Sequence, residues 1–244
     1  MSELSLHGRT ALVTGASRGF GAGIAKALAS EGAEVWLSAR SEKELISAAE
    51  SCGGRPLVAD VTSGEDWDRV FRTVQSESGR LDILVNNAGA GVIVKPLAQT
   101  SDAEIHRSLA VNLLGATLGC RRAAWLMTAQ KSGTIVNIAS ACAVQAWPGW
   151  SVYSAAKAGV LQLTRCLYTE LRPHGARATC LVPSWGATDF SRAAGLPELD
   201  EETVRKCIQP LELGRVVADI CALPAHLTIQ ELILWPLVQQ VEPL

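Results

Sequence analysis

Short apolar runs alternate along the chain with longer segments in which apolar residues recur at helical spacing. Seven of the short runs are rich in aliphatic and β-branched residues, which is typical of strands. Parallel strands that are joined by crossover helices produce this alternation. The pattern therefore predicts an α/β sheet with strands at residues 10–14, 34–38, 56–60, 81–86, 133–139, 176–182 and 231–234.

Polar residues mark where several of the intervening helices begin. Ser41 with Glu44, and Ser101 with Glu104, have the spacing of a capping box. Ser63 precedes another helical segment and is a candidate N-cap. The predicted helices cover residues 19–31, a segment from Ser41 onward, 63–79, one long continuous helix over 102–129, and 152–172.

Composition and charge narrow the class of protein. The chain has 244 residues, of which 48% are hydrophobic and 19% are charged, which excludes a disordered chain and allows one sizeable core. The formal net charge of −2 offers no basic surface for nucleic acid or for an anionic membrane. We therefore expect a single domain over residues 1–244 whose partner is a small molecule.

Cysteine usage and the N-terminus bear on the compartment. The seven cysteines are scattered, and neither they nor the four histidines show the spacing of a metal site. Residues 1–9 lack the build of a signal peptide, and no apolar run approaches the roughly 18 residues that span a bilayer. We expect reduced thiols, no metal, no membrane span and a cytoplasmic location.

A glycine-rich segment lies between the first predicted strand and the first predicted helix. It reads TGASRGFG over residues 14–21. Glycines in such a turn allow a pyrophosphate to approach the main chain and the helix to pack closely on the sheet, and the helix N-terminus attracts the anion. The segment is therefore predicted to bind a dinucleotide through Gly15, Ser17, Arg18, Gly19, Phe20 and Gly21.

Further motifs give this turn a family context. NNAG at residues 86–89 ends the fourth strand, Asn112 lies in VNLLG, Ser140 follows the fifth strand, and YSAAK occupies residues 153–157. In order and spacing, these motifs and TGASRGFG resemble the short-chain dehydrogenase/reductase family over about residues 7–190. The resemblance implies one Rossmann-type domain, a doubly wound parallel seven-stranded sheet in the order 3-2-1-4-5-6-7 with helices on both faces.

Four of these residues are candidate catalytic groups. Tyr153 and Lys157 are one helical turn apart and share a face, and a nearby ammonium lowers the pKa of a phenol from its usual value of about 10. The resemblance implies that Tyr153 protonates the alkoxide that hydride transfer leaves and that Ser140 orients the carbonyl oxygen. It also implies that Lys157 binds the nicotinamide ribose while lowering the Tyr153 pKa, and that Asn112 holds a water in a proton relay. For Asn112, a structural role as a hydrogen-bonded buried amide is the alternative.

The end of the second strand indicates which dinucleotide binds. It has Ala39 where a carboxylate would bond a ribose 2′-hydroxyl, whereas Arg18 and Arg40 supply guanidinium groups that suit a phosphate. We therefore expect NADP(H) rather than NAD(H). For Asp60, which the family would place against adenine, capping of a turn is the alternative. The remaining expected cofactor contacts are Val61, Asn87, Ala88, Gly89, Tyr153, Lys157, Pro183, Gly186 and Thr188.

Two segments depart from the family pattern. Pro183 is followed by Ser184 where the family commonly has glycine, and this adds a Cβ beside the expected nicotinamide position. The family's glycine-rich C-terminal segment is absent, since residues 229–236 read IQELILWP. The resemblance therefore does not extend to the nicotinamide contacts beside Ser184 or to a subunit contact through the commoner C-terminal ending.

The segments after the fifth and sixth strands are the expected substrate side. Trp147, Trp150 and Trp185 lie there and would form apolar walls suited to an apolar or aromatic ketone. Residues 184–210 are the least regular stretch and are predicted to be a lid or binding loop. The other tryptophans, Trp36, Trp67, Trp125 and Trp235, are assigned to the core or to subunit contacts.

These observations predict an NADPH-dependent carbonyl reductase or alcohol dehydrogenase that interconverts a ketone and a secondary alcohol. A 3-oxoacyl-thioester reductase is the alternative within the family. A catalytically silent NADP(H)-binding sensor protein is the alternative from another class. The resemblance also implies a homodimer or homotetramer that associates through the helices over residues 102–129 and 152–172.

Overall fold

Seven parallel strands form the centre of the structure, a computed structural model that describes residues 5–90, 92 and 94–239. Their order in the sheet is β3-β2-β1-β4-β5-β6-β7, as predicted. The strands are β1 (Thr10–Thr14), β2 (Glu34–Ala39), β3 (Arg55–Val58), β4 (Ile83–Asn86), β5 (Gly133–Ile138), β6 (Ala176–Pro183) and β7 (Glu231–Leu234).

The strand order reverses at β1, which pairs with β2 on one side and with β4 on the other. Val13 is opposite Leu37 in β2 and Val85 in β4. All five residues of β1 and all four of β4 are buried, because helices cover both faces of the sheet. The reversal leaves a crevice at the carboxyl ends of β1 and β4, which is where open α/β sheets bind ligands.

Two layers of helices enclose the sheet. On one face Ile24, Leu28 and Val217 belong to the larger apolar cluster, and on the other Trp67 and Met127 belong to the second. The helices are α1 (Gly19–Ser30), α2 (Glu42–Cys52), α3 (Gly64–Ser78), α4 (Asp102–Leu109), α5 (Gly115–Gln130), α6 (Ser151–Leu171), α7 (Phe190–Ala193), α8 (Glu201–Lys206) and α9 (Pro210–Ala222).

The predicted helix caps have different outcomes. The Ser63 hydroxyl accepts from the backbone N–H of Asp66, which confirms that N-cap. The Glu104 carboxylate accepts from the backbone N–H of Ser101 at 2.8 Å, as a capping box requires. The prediction at Ser41 is wrong, since its side chain makes no capping bond to the described part of α2.

The long helix predicted over residues 102–129 is interrupted. A π-helical turn over Ala110–Leu114 separates α4 from α5. Apolar positions continue through this turn, so their periodicity does not reveal it. The buried amide of Asn112 lies in the turn and bonds the neighbouring loop, which accounts for a local change in helix geometry at this position.

Residues 184–210 also contain more regular structure than expected, since the short helices α7 and α8 lie within them.

Trp36 and Trp67 are buried as predicted, whereas Trp125 on α5 is 74% exposed. All seven cysteines are free thiols. Within the described ranges, no helix is long and apolar enough to cross a membrane.

Candidate active site

A cleft of about 870 Å³ opens at the carboxyl end of the sheet. The loops that follow β1, β4, β5 and β6 form its floor, and residues between 184 and 199 line one side. Gly21 and Asn112 are the two predicted site residues that do not line it. The predicted residues that do are Gly15, Ser17, Arg18, Gly19, Phe20, Arg40, Asp60, Val61, Asn87, Ala88, Gly89, Ser140, Trp147, Trp150, Tyr153, Lys157, Pro183, Trp185, Gly186 and Thr188.

Hydrogen bonds hold the glycine-rich turn against the NNAG loop. The Thr14 hydroxyl oxygen accepts from the backbone N–H groups of Asn87 at 3.1 Å and Ala88 at 3.2 Å. The Asn87 amide donates in return to the carbonyl oxygens of Thr14 at 3.0 Å and Gly15 at 3.2 Å. The loops after β1 and β4 are therefore fixed relative to each other.

Glycine is required at two positions of the turn for different reasons. Gly15 has a φ of +64°, and a Cβ there would lie 2.7 Å from the Ala88 Cα. A Cβ at Gly21 would overlap the carbonyl oxygen of Gly15. Gly21 therefore acts by letting α1 pack closely on the turn, and it does not itself face the cleft.

Two arginines lie at the nucleotide end of the cleft. Arg18 is 3.9 Å from Asp189, and Arg40 is 3.8 Å from Asp60. Both guanidinium groups are largely exposed, so they are available to an additional anion. Asp60 also accepts from the backbone N–H and the hydroxyl of Thr62, so it caps a turn as well as lining the cleft.

Ser140, Tyr153 and Lys157 meet on the floor of the cleft. Ser140 follows β5, and its hydroxyl oxygen accepts from the backbone N–H of Cys142 at 3.2 Å. Tyr153 and Lys157 project from α6 and are only 8% and 4% exposed. The Lys157 Nζ lies 5.7 Å from the centroid of the Tyr153 ring and donates to the Ile138 carbonyl oxygen at 2.9 Å.

Burial shifts the pKa values of Tyr153 and Lys157 in the direction that favours the neutral form of each side chain. It raises the pKa of Tyr153, and the Cys142 thiol adds to that rise while a hydrogen bond with Ser140 opposes it. Burial lowers the pKa of Lys157 from 10.5 to about 8. The pKa of Tyr153 therefore lies above its ordinary value in this arrangement, opposite to the predicted lowering, because burying a phenolate is costly.

The Asn112 side chain makes the hydrogen bonds that a structural role for this buried amide predicts. Its amide nitrogen donates to the carbonyl oxygens of Ala90 at 2.7 Å and Ser108 at 2.9 Å. Its oxygen accepts from the backbone N–H of Ala90. These bonds fix the loop after β4, while the Asn112 oxygen accepts a single bond and keeps a second lone pair.

Aromatic side chains form the substrate side. Trp150 stacks on Phe190 of α7 with ring centroids 6.4 Å apart and an interplanar angle of 15°. Phe190 also packs against Tyr153 at 5.7 Å. Trp147 contacts Trp235 at 6.5 Å, so Trp235 supports the cleft wall instead of the central core. The predicted apolar wall is therefore continuous with the lid region.

Among the cleft-lining residues that sequence reasoning missed are Cys142, Phe190 and Gln239. Cys142 could have been found from its position two residues after Ser140. Phe190 lies in the predicted lid and was hidden by the irregular pattern there. Gln239 gave no signal, because it enters the cleft only through the path of the chain after β7.

A buried chain of polar side chains was also missed, and it joins the strands of the site to α6. The Asn86 amide donates to the Asn137 side-chain oxygen at 2.8 Å. The Asn137 amide donates to the Thr164 hydroxyl oxygen at 2.9 Å. Because Ser140 follows the strand of Asn137 and Tyr153 shares the helix of Thr164, this chain of bonds connects the elements that carry the two candidate catalytic groups.

Comparisons with known proteins agree with the geometry. Residues 9–198 match the family profile described as short chain dehydrogenase. The chain is 37% identical to 3beta-hydroxysteroid dehydrogenase 1 of Eggerthella lenta over 185 residues, which is 73% of this chain and 70% of that protein.

Solved structures show the same fold. A metagenomic short-chain oxidoreductase in complex with NADP is 32% identical with a TM-score of 0.81, and covers 95% of this chain and 98% of that one. The 3-ketoacyl-(acyl-carrier-protein) reductase from Brucella melitensis, complexed with NADH, is 28% identical with a TM-score of 0.88 and coverage of 96% and 99%. With a family match over most of its length and this fold, the chain belongs to the short-chain dehydrogenase/reductase family, whose enzymes act on CH–OH and C=O groups.

Proposed function

We propose that this chain is an NADP(H)-dependent oxidoreductase that interconverts a ketone and a secondary alcohol of apolar or aromatic character. One observation carries the proposal. Ser140, Tyr153 and Lys157 converge on the floor of the cleft that the glycine-rich turn also lines. Acid–base groups and a phosphate-binding turn in one cleft fit hydride transfer between a dinucleotide and a carbonyl compound.

The cleft fits a dinucleotide. Gly15 lets the turn pack against the loop after β4, where a Cβ would meet Ala88, and the N-terminus of α1 provides N–H groups for a pyrophosphate. Arg18 and Arg40 would hold a 2′-phosphate, and Ala39 offers no carboxylate to repel it. The loop at Gly186 and Thr188 would hold the nicotinamide end. When bound, the dinucleotide supplies or accepts the hydride.

The side chains of this chain handle the oxygen atom and its proton. The Ser140 hydroxyl would donate to the substrate oxygen and stabilise charge as it develops. Tyr153 is protonated at neutral pH, since the ordinary pKa of tyrosine is about 10 and burial raises it further, so it can donate a proton to that oxygen during reduction. Lys157 would donate to ribose hydroxyls and favour the phenolate that forms.

The walls indicate the substrate class. Trp150, Phe190 and Tyr153 form a cluster of aromatic rings, with apolar Val92 and Leu196 beside them. Such walls bury an apolar ring system and leave orientation to a few polar groups. The likeness to a hydroxysteroid dehydrogenase supports a bulky apolar ketone. We propose that residues 184–210 act as a lid over this substrate.

A 3-oxoacyl-thioester reductase is the second candidate, and the high structural similarity to the Brucella reductase favours it. A silent NADP(H)-binding sensor protein is less consistent with the site, because Ser140, Tyr153 and Lys157 are all present and adjacent. The three candidates differ in what they turn over. Loss of NADPH absorbance should therefore be followed with apolar cyclic ketones, aromatic ketones and acetoacetyl thioesters, while NADPH binding is measured separately by fluorescence.

Turnover of the cyclic or aromatic ketones with higher kcat/KM than the thioester supports the proposal. A preference for the thioester would favour the acyl reductase instead. Binding of NADPH without turnover of any member of the panel would favour the sensor protein. Tighter binding of NADH than of NADPH would contradict the proposed cofactor.

We also propose a homodimer or homotetramer that associates through α5 and α6. Trp125 is 74% exposed on α5, and Leu114, just before α5, is 45% exposed. Large apolar side chains exposed on a helix surface are typical of subunit interfaces. Light scattering measures the mass in solution, and Trp125→Glu should shift it towards the monomer.

A further inference from the structure

The chain after β7 folds back onto the substrate side of the cleft. Leu234 at the end of β7 pairs with Pro183, and its carbonyl oxygen accepts from the backbone N–H of Ser184 at 2.9 Å. The backbone N–H of Gln239 then donates to Pro236 at 3.1 Å and closes a turn. Gln239 is 9% exposed and lines the cleft.

The Gln239 side-chain oxygen joins this turn to the loop after β6. It accepts from the Ser184 hydroxyl at 2.5 Å and from the backbone N–H of Trp185 at 3.1 Å. The Trp185 backbone N–H can only donate, so it fixes the orientation of the amide group, and the Ser184 hydroxyl donates to the same oxygen. Ser184 and the unusual C-terminal segment, the two departures from the family pattern, are therefore bonded to each other.

The Gln239 amide nitrogen is left as a donor. With the oxygen atom held by Ser184 and Trp185, the described part of the chain gives the nitrogen no hydrogen-bond partner. Because Gln239 lines the cleft, this nitrogen is available to donate to a molecule bound there. Aromatic and apolar residues also line the cleft, so this nitrogen would supply a polar contact in a mainly apolar site.

We propose that Gln239 is a specificity-determining residue. Its oxygen fixes the turn at Ser184 and Trp185, and its nitrogen donates to a second oxygen atom of the substrate, separate from the carbonyl that Ser140 and Tyr153 hold. The substrate class is then an apolar ketone that carries an additional carbonyl, hydroxyl or ether oxygen. The inference rests on the proposed function and narrows its substrate.

Matched ketones test the inference. The probes are 4-(methoxyphenyl)cyclohexanones and 4-(ethylphenyl)cyclohexanones, each substituted at the meta or para position of the phenyl ring. The two members of a pair differ at one position, where the first has an ether oxygen and the second a methylene. In the wild-type protein, kcat/KM should favour an ether over its ethyl counterpart by about five-fold, the usual value of one hydrogen bond. Gln239→Glu keeps an oxygen for both donors and removes the nitrogen, so this ratio should fall to one or below.

Two further variants distinguish the contribution of the Gln239 nitrogen from the contribution of the turn that its oxygen holds. Ser184→Ala removes one bond to the Gln239 oxygen and should retain the ratio, because the Trp185 bond still orients the amide. Gln75→Glu makes the same chemical change on exposed α3, outside the cleft, and should also retain it. A general loss of packing would lower kcat/KM for both ketones equally and leave the ratio unchanged.

Binding provides a readout that does not depend on turnover. Affinities of the same ketone pairs for the NADPH complex of Tyr153→Phe are followed by tryptophan fluorescence, with and without Gln239→Glu. A preference for the ether that disappears with Gln239→Glu supports the inference, even if no ketone is reduced and the proposed function fails. The inference is overturned if Gln239→Glu leaves the ether-to-ethyl affinity ratio unchanged. It is also overturned if Gln239→Glu weakens the NADPH Kd while that ratio persists, because the nitrogen then contacts the cofactor.

Discussion

The Lys157 ammonium lies 2.9 Å from the carbonyl oxygen of Ile138, the residue that ends β5. This bond joins α6, which carries Tyr153, to the strand that leads to Ser140. Burial lowers the pKa of Lys157 from 10.5 to about 8, because it removes water from around the ammonium. The site is therefore held in part by a cation whose burial reduces the stability of the folded protein.

Replacing this cation should stabilise the protein and inactivate it. The depression of the Lys157 pKa corresponds to roughly 3 kcal/mol, and loss of the bond to Ile138 offsets about 1 kcal/mol of that. Lys157→Met should thus raise the free energy of unfolding at pH 7 by roughly 2 kcal/mol while turnover is lost. Urea denaturation measures the first effect, and exposed Lys43→Met is the control.

The sign of the pH dependence follows from the same shift. Because the folded-state pKa is below the unfolded-state value, the unfolded protein binds more protons between about pH 8 and pH 10.5. As the pH rises through that window, the free energy of unfolding of the wild-type protein should increase relative to that of the Lys157→Met variant. The advantage of the variant should therefore be largest below pH 8 and shrink as the pH approaches 10.5. An advantage that grows with pH would contradict the assignment.

Tyr153→Phe removes the proposed proton donor and retains the ring. Reduction should slow by about a hundred-fold to ten-thousand-fold, the usual contribution of a general acid. The Kd of NADPH should stay within a few-fold of the wild-type value, because the dinucleotide contacts proposed here lie mainly on the strand-end loops. Stopped-flow reduction and fluorescence titration measure the two quantities. Wild-type turnover in this variant would exclude Tyr153 as the acid.

Arg40→Asp should shift cofactor preference towards NADH. The substitution removes a guanidinium that would bind a 2′-phosphate and places a carboxylate near Asp60, which repels that phosphate. The ratio of kcat/KM for NADPH to that for NADH should fall by about ten-fold to a hundred-fold, as expected for a lost charge-assisted hydrogen bond. Lys43→Asp makes a similar charge change outside the cleft and should leave the ratio unchanged.

Local patterns were sufficient to predict the sheet and most of the cleft floor. Strands of a parallel sheet are buried on both faces, so their apolar runs, such as the one ending at Ile138, stand out in the sequence. Ser140 and Gly15 directly follow such runs. Chain order then places both at the same edge of the sheet, because parallel strands all point their carboxyl ends one way.

The features that were missed depend on contacts between distant segments. The π turn around Asn112 reflects bonds to Ala90, which lies 22 residues earlier. Gln239 reaches the cleft because β7 adds beside β6, and its bond to Ser184 spans 55 residues. The pKa of Tyr153 depends on how completely the lid side packs over it. None of these relationships has a periodicity or a local spacing.

Phe190 connects the lid to the acid, and its removal should change both binding and pH dependence. Its ring packs 5.7 Å from that of Tyr153 and stacks on Trp150. In Phe190→Ala, the KM of an apolar ketone should rise by about ten-fold or more, because a large apolar contact is lost. Water would also reach Tyr153, so the burial that raises its pKa weakens and that pKa moves down towards its ordinary value.

Tyr153 must be protonated to act as an acid, so kcat/KM for reduction should decline at a lower pH in Phe190→Ala than in the wild type. Absorbance of tyrosinate gives the pKa directly, since the chain has only two tyrosines and Tyr153→Phe identifies the signal. Phe190→Leu keeps most of the apolar cover and should shift the alkaline limit less. If Phe190→Ala raises the KM but leaves the tyrosinate titration in place, then the lid contributes to substrate binding without controlling the acid.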